Sequence, residues 1–359
     1  GTVTLWHSWS RADGDALARI LEDFRSRYPG VEVETLYVAY DDLLQSYAQA
    51  VTDGNGPDLI LAPNWWLADL TILGAVQRLD DIVAPDHLSS LLPAGVDNLR
   101  VDGSLFGLPI SYELVALYYN KDLAPPQGLP VSLDELLVSA QQQPAAGIGL
   151  YANPFHLAWG FPAFGGALFD TAGRAGRDQN DGAARFLTWL AQANSATGSY
   201  VDSDYGMLID RFKKREFAYF VDGPWALPEL SAALGDSLGV APLPLGPAGP
   251  SQPWLYADAL YLNPSAPLAQ QGLTLLLAER LTSAEAGSTL ASVAGRLPAN
   301  REAVIDQGSN LIGFVQQAAT AQAMPHGPHM DAFWRYGGDM IFKALTGAET
   351  PDAIVRDTT

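Results

Sequence analysis

The chain has 359 residues, of which 48% are hydrophobic and 17% are charged, so it can bury a large core and we expect two domains. Forty acidic and 20 basic residues give a formal net charge of −20, which argues against nucleic acid and anionic membrane surfaces as partners. The sequence contains no cysteine, and no apolar stretch reaches the roughly 18 to 20 residues that span a bilayer. Disulfides, thiolate chemistry and a membrane-spanning helix are therefore excluded.

The first 74 residues alternate between strand and helix patterns. Short apolar or alternating runs predict strands, and apolar residues at helical spacing predict helices. In chain order the predicted elements are a strand at 2–6, a helix at 13–30, a strand at 31–38, a helix at 41–51, a strand at 57–62 and a short amphipathic run that ends at residue 74. This order predicts parallel strands joined by right-handed crossovers, and hence an open α/β sheet.

Aromatic and polar residues follow the first and third of these strands. The segment WHSWS (6–10) lies at the end of the first strand, and NWW (64–66) lies at the end of the third. In open α/β sheets, ligands bind at the carboxyl ends of the strands. We therefore expect Trp65 and Trp66 to face a ligand crevice.

The alternation continues beyond residue 110 without a low-complexity linker. Residues 241–254 are rich in proline and glycine and predict an ordered surface loop. The other predicted elements are a strand and turn at 114–123, a helix at 132–142, a strand at 147–152, a helix at 181–194, and a strand, Gly-Pro turn and helix start at 216–230.

Four motifs resemble a known family. In chain order they are GNGPDLILAPNWW, GLPISYELVALYYNKDL, FVDGPWALPEL and MPHGPHMDAFW. Their order and spacing are similar to those of the bacterial maltose-binding protein family, the extracellular sugar-binding components of ABC importers. The resemblance implies a two-lobed periplasmic binding protein fold of type II, in which two open α/β lobes close on a sugar about a hinge of several chain crossings. It implies one lobe at 1–110 and 258–306, and a second at 111–257 and 307–359.

The resemblance also implies contact residues on the second lobe and beside the hinge. Trp225 and Trp334 match aromatic positions on which family members stack sugar rings. Glu113 matches a carboxylate that accepts hydroxyl hydrogen bonds, although it could equally cap or pair near the hinge. Asn153 and Phe155 match a polar contact and an aromatic contact.

On the first lobe the chain departs from the family pattern. The family meets sugar hydroxyls there with charged groups, whereas this chain offers indoles, so we expect a ligand other than maltodextrin bound in the same pose. A basic contact one turn after AFW is also replaced, by Gly338. Asp258 and Arg296 are further candidates at the hinge or rim. The predicted first-lobe contacts are Ser8, Trp9, Arg11, Asn64, Trp65 and Trp66.

Sugars present apolar C–H faces and a ring of hydroxyls, so aromatic platforms with nearby carboxylates, amides and arginines suit them. Aromatic residues also form cores, and we expect Trp6, Trp189 and Trp254 to be core, while Trp9 could take either role. The HGPH segment (326–329) lacks the ligands of a metal site and is interpreted as a loop. The glycines of GIGLYA precede a strand instead of following one, which argues against a dinucleotide site.

The sequence therefore predicts a receptor that captures a neutral mono- or oligosaccharide and delivers it to the permease of an ABC importer. We expect a monomer without cofactor or metal, in the periplasm or on the cell surface. Its N-terminal export or lipid-anchor segment would have been removed. The alternatives are a receptor for a polyol or glycerophosphodiester, and a carbohydrate-active enzyme that uses Glu113 with Asp258 as paired carboxylates.

Overall fold

The computed structural model describes residues 1–124, 128–167, 181–326 and 330–358, so most of the HGPH segment lies outside the described residues. The chain divides into two compact units. Unit 1 comprises Gly1–Glu113 and Leu255–Gln307, and unit 2 comprises Leu114–Trp254 and Gly308–Thr359. The predicted boundaries at 110/111 and 257/258 each fall inside a strand. One of these strands runs from residue 108 to residue 113 and the other from residue 254 to residue 262, and the observed boundaries lie at or next to their ends.

The first part of the chain supplies most of unit 1. Its strands are β1 (Thr2–His7), β2 (Glu32–Tyr37), β3 (Leu59–Pro63), β4 (Arg100–Val101), β5 (Ser104–Leu105) and β6 (Leu108–Glu113). Its helices are α1 (Arg11–Arg27), α2 (Tyr40–Thr52), α3 (Leu67–Ile72), α4 (Pro85–Ser90) and α5 (Pro93–Asp97), with a 3-10 helix at Asn64–Trp66.

The middle of the chain supplies most of unit 2. Its strands are β7 (Ala116–Asn120), β8 (Ile148–Tyr151), β9 (Tyr200–Asp202), β10 (Tyr219–Asp222) and β11 (Leu238–Ala241). Its helices are α6 (Leu133–Gln142), α7 (Pro154–Leu157), α8 (Gly160–Ala163), α9 (Gly182–Ser195), α10 (Tyr205–Lys213) and α11 (Leu227–Leu234), with 3-10 helices at Pro144–Ala146, Pro224–Ala226 and Gly235–Ser237.

The last third of the chain returns to unit 1 and then to unit 2. For unit 1 it provides β12 (Trp254–Leu262), α12 (Leu268–Leu281), α13 (Ala284–Thr289), a π-helical turn (Leu290–Ala294) and β13 (Leu297–Pro298). For unit 2 it provides α14 (Leu311–Ala318), β14 (Gln322–Ala323), α15 (Met330–Thr346) and α16 (Pro351–Thr358).

The sheet of unit 1 has the strand order β13-β6-β12-β3-β1-β2. As predicted from the alternation of elements, β1 pairs in parallel with both β2 and β3. The strands β12, β6 and β13 extend the sheet with antiparallel pairing. Helix α1 buries Leu17, Ile20, Leu21 and Phe24, the apolar face visible in the sequence, within the core of unit 1.

The sheet of unit 2 has the strand order β11-β7-β10-β8-β9. β10, β8 and β9 are parallel, while β7 pairs antiparallel with β10 and β11. The proline- and glycine-rich loop at 242–253 is held by hydrogen bonds from Leu243 N to Gln317 Oε1 (2.6 Å) and from Ser251 Oγ to Pro244 O (2.6 Å).

Each unit thus combines helices with a sheet of parallel and antiparallel strands, and the predicted α/β fold class is confirmed. Among the described residues, no helix combines the length and apolarity needed to cross a membrane. Of the three tryptophans expected in the core, Trp189 and Trp254 are buried, whereas Trp6 is partly buried and packs against the core of unit 1.

Candidate functional site

One edge of the unit 1 sheet gathers polar side chains from four strands. The strands β1 and β3 end there, and the antiparallel register places Asp258 of β12 opposite Pro63, the last residue of β3. Glu113, the last residue of β6, lies opposite Tyr256. Arg296 directly precedes β13, which pairs with β6. The strand register therefore brings residues that are far apart in sequence to the same edge.

Arg296 is at the centre of this edge and joins three carboxylates. Its Nε lies 2.9 Å from Asp13 Oδ1, and its Nη1 lies 3.0 Å from Asp258 Oδ2 and 3.7 Å from Glu113 Oε1. The guanidinium carbon lies 4.5 Å from the centroid of the Trp9 ring, and the Trp9 indole N–H donates to Asp258 Oδ2 at 3.2 Å. Because one cation faces three carboxylates, this cluster has an excess of negative charge and of hydrogen-bond acceptors.

Burial and neighbouring charges shift the pKa values of these groups. Burial raises the pKa of Glu113 because the ionised carboxylate loses hydration; Arg296 opposes this effect and Asp258 adds to it. Burial alone would lower the pKa of Arg296, but the surrounding carboxylates outweigh it and raise the pKa, so the guanidinium stays charged. Burial also raises the pKa of Tyr256, whose hydroxyl donates a hydrogen bond to Glu113 Oε2.

The two tryptophans after β3 lie in different environments. Trp66 is 9% exposed and belongs to the core of unit 1, whereas Trp65 is 40% exposed. They lie on a 3-10 helix, in which successive side chains leave about 120° apart, so neighbours do not share a face. Both residues are predicted to face a ligand, but of the two only Trp65 has an exposed indole for that role.

Trp65 is part of an aromatic surface beside the carboxylates. Its indole N–H donates to the Tyr40 hydroxyl at 3.1 Å, and its ring meets that of Tyr256 edge to face at 5.1 Å. The Tyr40 ring lies 5.0 Å from that of Trp66. Since Tyr256 also bonds to Glu113, the exposed aromatic rings and the acceptor cluster are adjacent.

The other predicted contacts of unit 1 differ in exposure. Trp9 is buried in the core, and Arg296 and Asp258 occupy its ring face and N–H, so the structure places it behind the cluster. Ser8 is half-buried, and Arg11 is an exposed residue with a left-handed φ of 52° at the start of α1. Asn64 is fully buried: its Oδ1 accepts a hydrogen bond from Ala257 N (3.3 Å), and its Nδ2 has no partner among the described residues.

A second cluster lies where three parallel strands of unit 2 end. Tyr151 ends β8, Asp222 ends β10, and Tyr205 begins α10 shortly after β9. The carboxyl ends of neighbouring parallel strands meet at one edge of a sheet. The rings of Tyr151 and Tyr205 are accordingly 5.4 Å apart, and the Tyr205 hydroxyl donates to Asp222 Oδ2 at 2.7 Å.

Asn153 and Phe155, predicted as ligand contacts, begin the short helix α7. Asn153 Oδ1 accepts a hydrogen bond from Phe155 N at 2.9 Å and caps the helix, so this oxygen already has a donor within unit 2. Phe155 is buried, with its ring 6.2 Å from that of Trp225. The predicted polar contact is therefore a helix cap, which the Asn-Pro pair at the start of α7 is well suited to form.

Trp225 presents an exposed indole beside this cluster. It lies on the 3-10 helix that follows β10 and is 37% exposed. The ring of His156 meets it edge to face at 5.7 Å. Gly223 is needed for this arrangement because a Cβ there would lie 2.1 Å from the Trp225 ring.

Trp334, the other predicted stacking residue of unit 2, lies on α15 and is 38% exposed. Its ring meets the buried Trp254 edge to face at 6.4 Å. Gly338 follows it by four residues on the same helix, consistent with a position one turn on.

Several residues of the two clusters were not predicted from the sequence. Five of them lie at, or shortly after, the end of a strand: Tyr40, Tyr151, His156, Tyr205 and Asp222. The sixth, Tyr256, lies near the start of β12, where strand position gives no such signal. Within the part of the chain that the structure describes, no group of three or more histidine, cysteine or acidic residues is arranged to hold a metal ion.

Exposed indoles beside hydrogen-bonding side chains, at the strand ends of α/β units, define a binding protein for a small polar solute. A family model places the chain more specifically. Residues 19–321 match the bacterial extracellular solute-binding protein family, and the chain belongs to that family.

Relatives and solved structures agree with this assignment. The maltotriose-binding protein of Pyrococcus abyssi is 25% identical over 352 residues, which cover 93% of this chain and 75% of that protein. A maltooligosaccharide ABC transporter solute-binding lipoprotein of Streptococcus pneumoniae is 25% identical over 333 residues, covering 85% and 75%. The crystal structure of a cyclo/maltodextrin-binding protein complexed with maltotetraose superimposes with a TM-score of 0.87 at 23% identity, covering 99% of this chain and 95% of that one. This structural likeness establishes the fold.

Proposed function

We propose that this protein is the solute-binding component of an ABC importer and that it binds a neutral carbohydrate. The observation that carries the proposal is the same in both units: an exposed indole, Trp65 or Trp225, stands beside a hydrogen-bonded polar cluster at the strand ends. An indole face suits the C–H face of a sugar ring, and carboxylates accept its hydroxyl hydrogens. The carbohydrate ligands named for the relatives support the same class.

The charges of unit 1 favour a neutral ligand over a phosphodiester. Arg296 is the cation of the cluster, and Asp13, Glu113 and Asp258 already surround it. An anionic ligand would have to compete with these carboxylates in a chain of net charge −20. A linear polyol would avoid that conflict but would offer an indole no flat ring face. A sugar ring suits both features.

The carboxylates are arranged for binding instead of glycoside hydrolysis. A glycosidase needs one carboxylic acid and one carboxylate free to act on either side of the scissile bond. Burial does raise the pKa of Glu113, as a general acid requires. However, Asp258 is paired with Arg296 and accepts from Trp9, and the same Arg296 nitrogen approaches Glu113. We therefore propose that the protein releases its ligand unchanged.

The importer role implies a location and a partner. We propose that the protein is exported, acts as a monomer in the periplasm or on the cell surface, and delivers its sugar to the membrane permease. Membership of an extracellular solute-binding family supports export, and the lipoprotein relative supports attachment at the cell surface.

A ligand screen tests the proposal. Thermal unfolding would be measured with glucose, maltose, maltotriose, maltotetraose, cellobiose, a galactooligosaccharide, glycerol and glycerophosphocholine, followed by calorimetric titration of each compound that raises the melting temperature. Ligand at about 100 times its dissociation constant stabilises the folded protein by roughly 2.7 kcal/mol, an easily measured shift. Chromatography of the recovered sugar distinguishes binding from turnover.

We expect at least one sugar to stabilise the protein and to be recovered intact. Stabilisation by glycerophosphocholine alone would replace the carbohydrate proposal with an anionic or zwitterionic solute. Cleaved sugar would establish an enzyme. Substituting Trp65 or Trp225 by alanine should weaken the binding of the same sugar, which connects the result to the clusters.

A further inference from the structure

Asp222 is a carboxylate with no exposed surface, at the last position of β10. It accepts three hydrogen bonds within unit 2: from the Tyr205 hydroxyl at 2.7 Å, from His156 Nε2 at 3.3 Å, and from Gly223 N at 2.8 Å. Burying a carboxylate is costly, and these three donors offset the cost. Because the carboxylate is fully buried and already hydrogen-bonded, we expect it to act by fixing the two side chains bonded to it, Tyr205 and His156.

One of the side chains held by Asp222, His156, meets the indole of Trp225. The ring of His156 approaches it edge to face, with an angle of 73° between the planes. The ring of Tyr205, the other side chain bonded to Asp222, lies 6.4 Å from that of His156. The buried carboxylate therefore holds the histidine that contacts the exposed indole and a tyrosine beside that histidine.

We propose that Asp222 and His156 are positioning residues that hold Trp225 in the orientation in which its exposed face receives a sugar ring. The inference rests on the proposed function, since it assigns Trp225 as a sugar platform. An exposed indole without these neighbours would sample several rotamers and would lose that freedom on binding. Fixing it in advance removes this cost, and a buried hydrogen-bond network can supply the rigidity.

Because a carboxylate accepts hydrogen bonds, the contact with Asp222 uses Nε2 of His156 as the donor. Nδ1 is buried and has no hydrogen-bond partner among the described residues. The property of His156 that matters is thus one N–H at the Nε2 position together with a flat side chain beside the indole. Glutamine can place an amide N–H at that position, whereas leucine fills similar space without a donor.

Two variants separate these roles. His156→Leu removes the donor to Asp222, and His156→Gln retains one. The intact protein would be labelled with 5-fluorotryptophan, and the fluorine resonance of Trp225 would be assigned by its absence from Trp225→Phe. Affinity for maltotriose would be measured by calorimetry, and the melting temperature of the unliganded protein would be recorded. His87→Leu is the matched control, because His87 lies in unit 1 with its Nε2 2.7 Å from Thr282 Oγ1.

In His156→Leu we expect the Trp225 resonance to shift and broaden, and the affinity to fall on the order of three- to tenfold, the cost of ordering one side chain. In His156→Gln we expect a near-native resonance and an affinity within about twofold of the wild type. His87→Leu should leave both unchanged. A native Trp225 resonance in His156→Leu, or equal losses in the leucine and glutamine variants, would overturn the proposal.

Two further outcomes are also decisive. If His156→Leu does not fold, Tyr205→Phe removes the other side-chain donor to Asp222 and should broaden the same resonance; an unchanged resonance would refute the positioning role. If the wild type binds neither maltotriose nor any other sugar in the screen, the proposed function fails. The fluorine spectra of the unliganded protein would still test whether Asp222 and His156 fix the indole.

Discussion

The adjacent residues Trp65 and Trp66 form a built-in matched pair for testing which indole faces ligand. The exposed fractions of 40% and 9% differ by about a third of a tryptophan side chain, or roughly 70 Å². At about 25 cal/mol per Å², this area corresponds to nearly 2 kcal/mol, and Trp66 additionally leaves an enclosed cavity when truncated. We therefore expect Trp66→Ala to lower the free energy of unfolding by at least about 2 kcal/mol more than Trp65→Ala does.

Binding should show the opposite order. Trp65→Ala removes an exposed stacking face and should weaken sugar binding by about 1 to 2 kcal/mol, which is roughly five- to thirtyfold. Urea unfolding of the unliganded variants gives the stability difference, and calorimetric titration with the best sugar of the screen gives the affinity. Trp65→Phe is the control, since it keeps a smaller aromatic face.

Either of two results would refute this reasoning. Equal destabilisation by the two alanine variants would mean that Trp65 is packed as tightly as its neighbour. Normal sugar affinity in Trp65→Ala, in a folded protein, would remove Trp65 from the ligand surface and leave the indole as a structural contact of Tyr40 and Tyr256.

Three further predictions concern residues that contact or lie beside the two exposed indoles. Because burial raises the pKa of Glu113, the wild-type free energy of unfolding should fall as pH rises from the ordinary glutamate range through this raised value. Glu113→Gln should abolish that fall, and a variant whose free energy of unfolding, measured by urea titration, depends on pH as the wild type's does would contradict the prediction. Arg296→Met leaves three carboxylates without their cation and should lower the free energy of unfolding by about 2 to 4 kcal/mol near neutral pH, whereas Arg296→Lys, which keeps a positive charge, should cost less. Equal losses in the two variants would exclude charge as the cause. Gly223→Ala places a Cβ against the Trp225 ring, and it should both destabilise the protein by about 1 to 3 kcal/mol and weaken sugar binding. Unchanged sugar affinity in this variant would show that the indole can move without loss of binding.

The periodicity of the sequence was sufficient to predict the alternating strands and helices of residues 1–74 and, in unit 2, the strands β7, β8 and β10 and the helices α6 and α9. Strands such as β3 are short continuous apolar runs, and α1 shows its buried face as a helical repeat, so local pattern and final environment agree. The antiparallel half of the unit 1 sheet was not predicted from that pattern. Its strands β6, β12 and β13 pair across large sequence separations, and no local rule specifies that register.

Candidate site residues were predicted in two ways, from their position at strand ends and from the family resemblance. The expectation that strand ends carry ligand-facing residues led to Trp65, and the resemblance led to Trp225. Strand position could not separate Trp65 from Trp66, because the direction of each side chain depends on a single 3-10 turn. It also missed the pairing of Arg296 with Asp13, 283 positions away, and that of His156 with Asp222, 66 positions away. Such contacts depend on the tertiary fold and cannot be deduced from composition or from local sequence patterns.

The strand β12 lies between β3 and β6 in the middle of the unit 1 sheet, although it follows the first and larger segment of unit 2 in the sequence. Until β12 emerges from the ribosome, β3 and β6 each lack a neighbour, and unit 1 cannot close its sheet. Contacts between such distant segments form slowly because the entropy of a long loop must be lost first. We therefore expect residues 1–113 to complete their sheet only after β12 has been synthesised, whereas the strands of the unit 2 sheet all precede β12. In the exported protein that we propose, this late central strand would delay the completion of unit 1 until most of the chain has been made.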